Sequence, residues 1–399
     1  MNLKEQIEQL LTDQLLIEMV KIRRHLHQFP ELSFEEHKTS AYIRNVLDNW
    51  GVEYTFPIVK TGILARIKGE KSGKRIALRT DMDALPISEN SGLDFQSTHP
   101  GVMHACGHDV HITSLLGSIR LLNQMKHLIE GEVLFVFQPG EEKIPGGAKL
   151  MMEEGLFKDQ PPDLIIAQHV LPDMEAGHVG FKPGIYMASS DEIYITVNGK
   201  GGHGALPRQI NDPVLMASHI LITLQQEINR KSPGNIPTVI SFGKVEANGA
   251  VNVIPNQVYL EGTFRTMDES WRKEAHMLIR QIASGLASSM GGSCDVEIRS
   301  GYPVLHNHEK ITLESKSKAI ELLGADQVED LEIRMTAEDF AWFAQSIPGM
   351  MYRLGVKEPG ADQVFPLHTP EFRVDESALK TGISMLACLT IELLKSTAV

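Results

Sequence analysis

Apolar and polar positions change texture more than once along this 399-residue chain. Near the start, "LLTDQLLIEMVKIRRHLHQFP" repeats its apolar residues with the helical period and is stopped by Pro30, and "FEEHKTSAYIRNVLDNWG" predicts a second helix ended by Gly51. Short, continuously apolar runs then alternate with helical patterns. "GILARI" and "RIALRT" predict strands, "ITSLLGSIRLLNQM" a helix, "EVLFVFQP" a strand, "GGAKLMMEEGLF" a helix and "DLIIAQHV" a strand. Strands of this kind, alternating with helices, imply an α/β fold whose largely parallel sheet is flanked by helices on both faces.

After about residue 186 the pattern shifts to strict alternation. "DEIYITVNGK" fits a strand with one solvated face, followed by a helix in "PVLMASHILITLQQEI", strands in "TVISFGKVEA" and "QVYLEGTFRT", a long helix in "ESWRKEAHMLIRQIASGLASSMGG" and a last strand in "CDVEIRSGY". The order β-α-β-β-α-β is that of a ferredoxin-like α+β unit. From about residue 303 the chain returns to longer helices, "ITLESKSKAIELLG" and "ESALKTGISMLACLTIELLK". The expected organisation is therefore a first domain in two parts, 1–185 and 303–399, with 186–302 inserted between them. The crossings fall near Gly184 and Pro303. The chain length exceeds what a single core usually sustains, which also favours two domains.

Composition narrows the partners. A hydrophobic content of 42% suffices for two cores, while a net charge of −13 without any basic block argues against nucleic acid. The start "MNLKEQIEQLL" lacks a basic segment followed by an apolar one, and no apolar run approaches the roughly 18 residues needed to cross a bilayer. Neither secretion nor membrane insertion is expected. Cys106, Cys294 and Cys388 are too scattered for a disulfide framework, so a reducing, cytoplasmic setting fits best.

In open parallel sheets, ligands bind beyond the carboxyl ends of the strands, so polar residues that end apolar runs are the informative ones. "RIALRT" runs into Asp81 and Asp83, "EVLFVFQP" into Gly140, Glu141 and Glu142, and "DLIIAQ" into His169; "HACGHDVH" at 104–111 lies on a strand-to-helix connection, and "VFPLHTPEF" carries His368 between two prolines. Cys106, His108, Glu142, His169 and His368 together offer thiolate, imidazole and carboxylate, enough donors for a pair of divalent ions of the zinc type. Glu141 could then serve as the base that takes a proton from water and returns it to a leaving amine. This reading needs residues 106–108 to be extended, so that Cys106 and His108 face the same side. Other readings stay open: His104, His108 and His111 also fit one face of a helix, Asp109 fits a helix cap, and "GEE" fits a solvated loop. The stretch "GKGGHG" at 199–204 satisfies a dinucleotide fingerprint in letters only, because Pro207 and Pro213 delay the helix and no acidic ribose partner follows. It reads instead as a glycine-rich loop carrying His203.

From "IRRHLHQFPELSFEE" through "LRTDMDALPI", "HACGHDVH", "FQPGEE", "GGHGALP", "NVIPNQVYLEGTFRT" and "TAEDFAWF" to "PLHTPEF", the chain resembles the amidohydrolase branch of the M20 metallopeptidase family, which includes N-acyl-L-amino-acid amidohydrolases, hippurate hydrolases and the auxin-conjugate hydrolases of plants. The resemblance implies a zinc-peptidase-like catalytic domain with an inserted lid that commonly mediates homodimerisation. It implies a metal set of Cys106, His108, Glu142, His169 and His368 holding two divalent ions (zinc, manganese, cobalt or nickel), with Glu141 as general base. It also implies that His203 in the lid stabilises the oxyanion and that Asn252 and Arg265 bind substrate, the arginine suiting a carboxylate. Asp81 and Asp83 stand where related peptidases carry a metal histidine and its supporting aspartate, so Asp83 joins Glu141 and His203 among the expected catalytic residues, and Cys106 would supply the missing donor.

Two departures from the family pattern are visible. Gly140 stands where many members have alanine, a change expected to be harmless, and Arg208 stands where many have histidine, which bears on substrate choice. The implied reaction is hydrolysis of an N-acyl-L-amino acid, a small-molecule substrate. A dipeptidase or carboxypeptidase of the same wider family is the nearest alternative. A thiol amidase using Cys106 and a non-catalytic metal or metabolite binder are the others.

Overall fold

The continuously apolar runs become the middle of an eight-stranded mixed sheet. A computed structural model describes residues 1–396. Across the sheet the strands run Glu53–Ile58, Gly62–Lys68, Glu130–Gln138, Lys71–Asp81, Leu164–Glu175, Gly349–Lys357, Val179–Phe181 and Val328–Asp330. The four central strands, Glu130–Gln138 through Gly349–Lys357 in that order, are mutually parallel. Their side chains are buried on both faces, which explains why these segments read as unbroken apolar runs rather than alternating ones. The two strands at the Glu53 edge join antiparallel.

The helices His108–Gln124 and Ala378–Lys395 pack on each other and on Lys71–Asp81. Both are buried almost all round, so neither shows a polar face in sequence. They approach closely at Gly117, where an added Cβ would lie 2.5 Å from Ile383.

The described residues divide into two compact units: Met1–Tyr186 with His306–Glu332 and the stretch from Asp339 onward, and Met187–Leu305 with Ile333–Glu338. The second unit is built on a four-stranded antiparallel sheet in the order Thr238–Glu246, Gln257–Thr266, Asp191–Asn198, Ser293–Ser300. Its helices Pro213–Lys231 and Glu269–Ser289 bury Met216, Ile220, Leu224 and Trp271, Ala275, Ile279 against that sheet, which completes the ferredoxin-like pattern. Each helix begins on an aspartate cap: Asp212 accepts from Val214 N and Leu215 N, and Asp268 from Trp271 N. The glycines of "GKGGHG" serve chain packing. A Cβ on Gly199 or Gly201 would lie 2.3 Å from a backbone carbonyl, of Asn211 and Ile254 respectively.

Candidate metal centre

The site is built at the carboxyl ends of the central strands. Asp81 ends its strand and Gln138 ends the neighbouring one, so Asp83 and the turn Gly140–Glu142 emerge side by side. There the Asp83 carboxylate holds the turn, accepting from Glu141 N at 3.0 Å and Glu142 N at 2.9 Å, and also from the Ser33 hydroxyl at 2.6 Å. Burial pushes the Asp83 carboxyl up, but the neighbouring His108, with the Ser33 hydroxyl and the Glu142 N–H, outweighs it and holds the carboxyl below the usual range.

The octet at 104–111 is not extended as the metal reading required. Gly107 adopts a left-handed conformation (φ 80°) and His108 opens the helix. That turn, rather than the alternation of a strand, still brings Cys106 and His108 together, and with His169 their donor atoms all lie within 4.8 Å of one another. The three histidines of the octet have different fates. His104 is buried with neither ring nitrogen hydrogen-bonded, and burial pushes its pKa down to about 4. At His111, Nδ1 lies 2.7 Å from Asp81 Oδ1, and Nε2 accepts from Val170 N at 2.9 Å, so both nitrogens are engaged. His108 alone brings an unbonded nitrogen among the other donors: Nδ1 lies 2.8 Å from the Asp83 carbonyl oxygen, and Nε2 is buried without a hydrogen-bond partner. Asp109, one candidate for a helix cap, instead meets Arg23 Nε at 2.8 Å and His27 Nδ1 at 2.9 Å, while the cap position belongs to Gly107.

His169 and His368 come from opposite extremes of backbone regularity. His169 lies within the strand Leu164–Glu175, which continues well past the point where the sequence suggested an end. Its Nδ1 donates to the Val170 carbonyl at 2.8 Å, leaving Nε2 3.5 Å from Cys106 Sγ. His368 is a non-glycine residue at φ 61°, anchored by its N–H to the Ala105 carbonyl at 2.8 Å. Its Nε2 sits 3.4 Å from Cys106 Sγ and 3.3 Å from Glu142 Oε1. Cys106, Glu142 and His368 thus form a second group of donors within 4.8 Å, and His108, Glu141 and Glu142 a third.

The buried His108 Nε2, which has no hydrogen-bond partner, is the observation that a cation would satisfy, and Glu142 Oε1, whose contact is the ion pair with His368, lies 4.0 Å from it. Backbone acceptors on the far nitrogens of His108 and His169 fix the ring tautomers, as outer-shell partners of metal histidines do. Sulfur, imidazole and carboxylate donors together suit divalent transition ions. Burial, with Glu142 nearby, pushes the Cys106 thiol up, the wrong direction for an unaided nucleophile.

Behind the donors lies a network that sequence patterns did not single out. The buried Arg79 guanidinium donates to Gln138 Oε1, Asp81 Oδ2 and Asp339 Oδ1, each at 2.8 Å, and Asp339 in turn accepts from Gln138 Nε2 and Ala148 N. The Asp339 N–H reaches Glu141 Oε1 at 3.4 Å. A charged residue inside the apolar run "RIALRT" was the available signal for Arg79. Glu36 gave no such signal, because it sits beside Glu35 in a polar stretch. In the second unit, exposed His203 pairs with Val253 in a short two-stranded antiparallel sheet, and Gly204 N bonds the Asn252 carbonyl at 2.9 Å, so His203 and Asn252 share a corner. Arg265 lies on the strand Gln257–Thr266 and donates to the Met335 carbonyl at 3.1 Å.

A thiol, imidazole and carboxylate donor set at the carboxyl edge of a mixed sheet suits metal-assisted hydrolysis, and the relatives of this chain are hydrolases that act on amides. The chain belongs to the peptidase family M20/M25/M40, whose model matches residues 77–392. It is 38% identical over 382 residues to the N-acetyldiaminopimelate deacetylase of Streptococcus sanguinis, covering 93% of this chain and 97% of that one. It is also 36% identical over 392 residues to thermostable carboxypeptidase 1 of Saccharolobus solfataricus, covering 97% and 98%. Among solved structures, a dinuclear metal binding peptidase of the M20 family, the YXEP protein of Bacillus subtilis, matches with a TM-score of 0.82 and 34% identity over 96% of this chain and 99% of that one. Among the described residues no helix is long and apolar enough to cross a membrane.

Proposed function

We propose that the protein hydrolyses the amide bond of N-acyl-L-amino acids at a centre of two divalent ions held by Cys106, His108, Glu142, His169 and His368. The observation that carries this reading is Glu141 beside Glu142 on one pinned turn, a buried carboxylate next to the donor set. When bound, the metals supply Lewis acidity to the scissile carbonyl and to water. Glu141 accepts the proton of the attacking water and hands it to the departing nitrogen. Asp83 acts by holding the Glu141–Glu142 backbone. His203 and Asn252 serve the oxyanion and the acyl group, and Arg265 the carboxylate of the amino acid. Met187–Leu305 acts as the lid and as the surface through which a homodimer forms, a role supported by exposed Leu215, Ile222 and Val245. A cytoplasmic setting is supported by Cys106, Cys294 and Cys388, all free thiols.

The deacetylase relative supports acyl amino acids as substrates. The carboxypeptidase relative favours a second reading, with peptides as substrates. Amine release by metal-stripped protein, from N-acetyl, N-benzoyl and dipeptide substrates with and without zinc, manganese, cobalt or nickel, decides between them. Metal-restored release from acyl amino acids is expected, and release from peptides alone would overturn the first reading. Activity that survives chelation and dies on alkylation would restore Cys106 as nucleophile. Glu141→Gln is expected to keep fold and metal content while kcat falls by about 100-fold or more.

A further inference from the structure

Three consecutive main-chain N–H groups of the turn Gly140–Glu142 point at buried carboxylates. Asp83 takes the second and third; the first is taken by Glu36, whose Oε1 accepts from Gly140 N at 2.8 Å and from Phe34 N at 2.9 Å. The other oxygen, Oε2, accepts from the buried Thr61 hydroxyl at 2.7 Å. Both residues whose N–H groups Glu36 holds are in the left-handed region, Gly140 at φ 59° and Phe34 at φ 67°. They also touch: a Cβ on Gly140 would lie 2.4 Å from the Phe34 ring. One carboxylate therefore clamps two left-handed residues that face each other, the strained Phe34 and Gly140 directly before Glu141.

An apolar side chain at position 36 would avoid burying a carboxyl near Asp83, but it would leave the buried Gly140 N–H and the part-buried Phe34 N–H without their acceptor. We propose that Glu36 is a positioning residue: it locks the left-handed turn at Gly140 so that Glu141 and Glu142 leave the backbone in the directions that proton transfer and metal binding require. This rests on the reading of Glu141 and Glu142 given above. Its chemistry is hydrogen-bond acceptance alone, so glutamine should replace it. The amide oxygen can take the two N–H groups, and the amide nitrogen can donate to the Thr61 oxygen, whose hydroxyl both donates and accepts.

The test compares wild type, Glu36→Ala, Glu36→Gln and Thr61→Val as full-length proteins, by cobalt titration followed through the visible spectrum and by kcat and KM on the best acyl amino acid. Glu36→Ala is expected to weaken cobalt binding or lower kcat by about 10- to 100-fold, with KM changed far less. Glu36→Gln is expected to return both to near wild type. Thr61→Val, which deletes a single hydrogen bond, is expected to shift them in the same direction by about threefold to tenfold. A folded Glu36→Ala protein with wild-type cobalt spectrum, affinity and kcat overturns the proposal, whatever its melting temperature. So does a Glu36→Gln protein as impaired as the alanine variant. If Glu36→Ala does not fold, wild-type behaviour of Thr61→Val overturns it. Wild-type protein that binds cobalt yet cleaves no acyl amino acid would defeat the functional reading instead, and the cobalt comparison would still decide the role of Glu36.

Discussion

At residue scale the turn Pro139–Glu142 concentrates the chemistry, and its first requirement is steric. At Gly140 the family resemblance led us to expect alanine, and the departure was expected to be harmless. In this protein the Phe34 ring occupies the space an alanine methyl would need, and the backbone is left-handed. Gly140→Ala is therefore expected to destabilise by about 1–2 kcal/mol or more and to lower kcat, because the strain falls one residue before Glu141, the proposed base. Melting curves and turnover of Gly140→Ala, alone and combined with Phe34→Ala, check this. The double variant should recover part of the loss if the ring is the obstacle. Cys106→Ser should weaken metal binding, since a serine hydroxyl is a harder and less acidic donor than a thiol. Equilibrium dialysis against zinc measures that directly.

At the scale of elements, the helix that carries His108 is held to the helix Asp13–Gln28 by a buried ionic cluster. Asp109 accepts from Arg23 and His27, and the other nitrogen of His27 lies 3.0 Å from Glu89 Oε1. Breaking such a pair strands a buried charge, so Asp109→Ala is expected to cost about 3–5 kcal/mol in chemical denaturation. The cluster also sets a pH dependence. Burial and Arg23 press the His27 imidazolium downward, but its hydrogen bonds to Asp109 and Glu89 outweigh them and hold its pKa above the ordinary value. The folded state therefore binds this proton more tightly than the unfolded chain does. The associated stability is fully present below an unfolded pKa of about 6.5 and fades as pH rises through the raised folded value. Melting temperature followed from pH 6 upward should show this decline, and His27→Gln should flatten it. None of this was legible locally, because Arg23 and Asp109 are 86 residues apart and nothing near Asp109 distinguishes an ion-pair partner from a cap.

For the whole molecule, the donors arrive from four separate stretches: the octet, the turn after Gln138, the strand Leu164–Glu175 and the loop around His368. A cation bound by all of them cross-links distant parts of one unit and favours the folded state by mass action. Metal at 100 times its dissociation constant should add about 2.7 kcal/mol to stability. Chelation should accordingly lower the melting temperature, and added metal should restore it, as scanning calorimetry would show. If the Met187–Leu305 unit mediates a dimer, Leu215→Glu combined with Ile222→Glu should yield a monomer in analytical ultracentrifugation while cobalt binding stays unchanged.

The sequence by itself determined the α/β character, the ferredoxin-like order in the middle of the chain and the residue types of the candidate site, because apolar periodicity reports directly which faces are buried. Asp81, Asp83 and the Gly140–Glu142 turn, which follow apolar runs, marked the carboxyl edge of the sheet. Only the tertiary structure decided how Cys106 and His108 converge, through a left-handed Gly107 and not an extended segment. It also decided which histidine of the octet brings an unbonded nitrogen among the other donors, and that Glu36 and Arg79 stand behind the site. Those outcomes depend on hydrogen-bond partners brought together from remote positions, and a one-dimensional pattern of polar and apolar residues carries no record of which remote group will meet which.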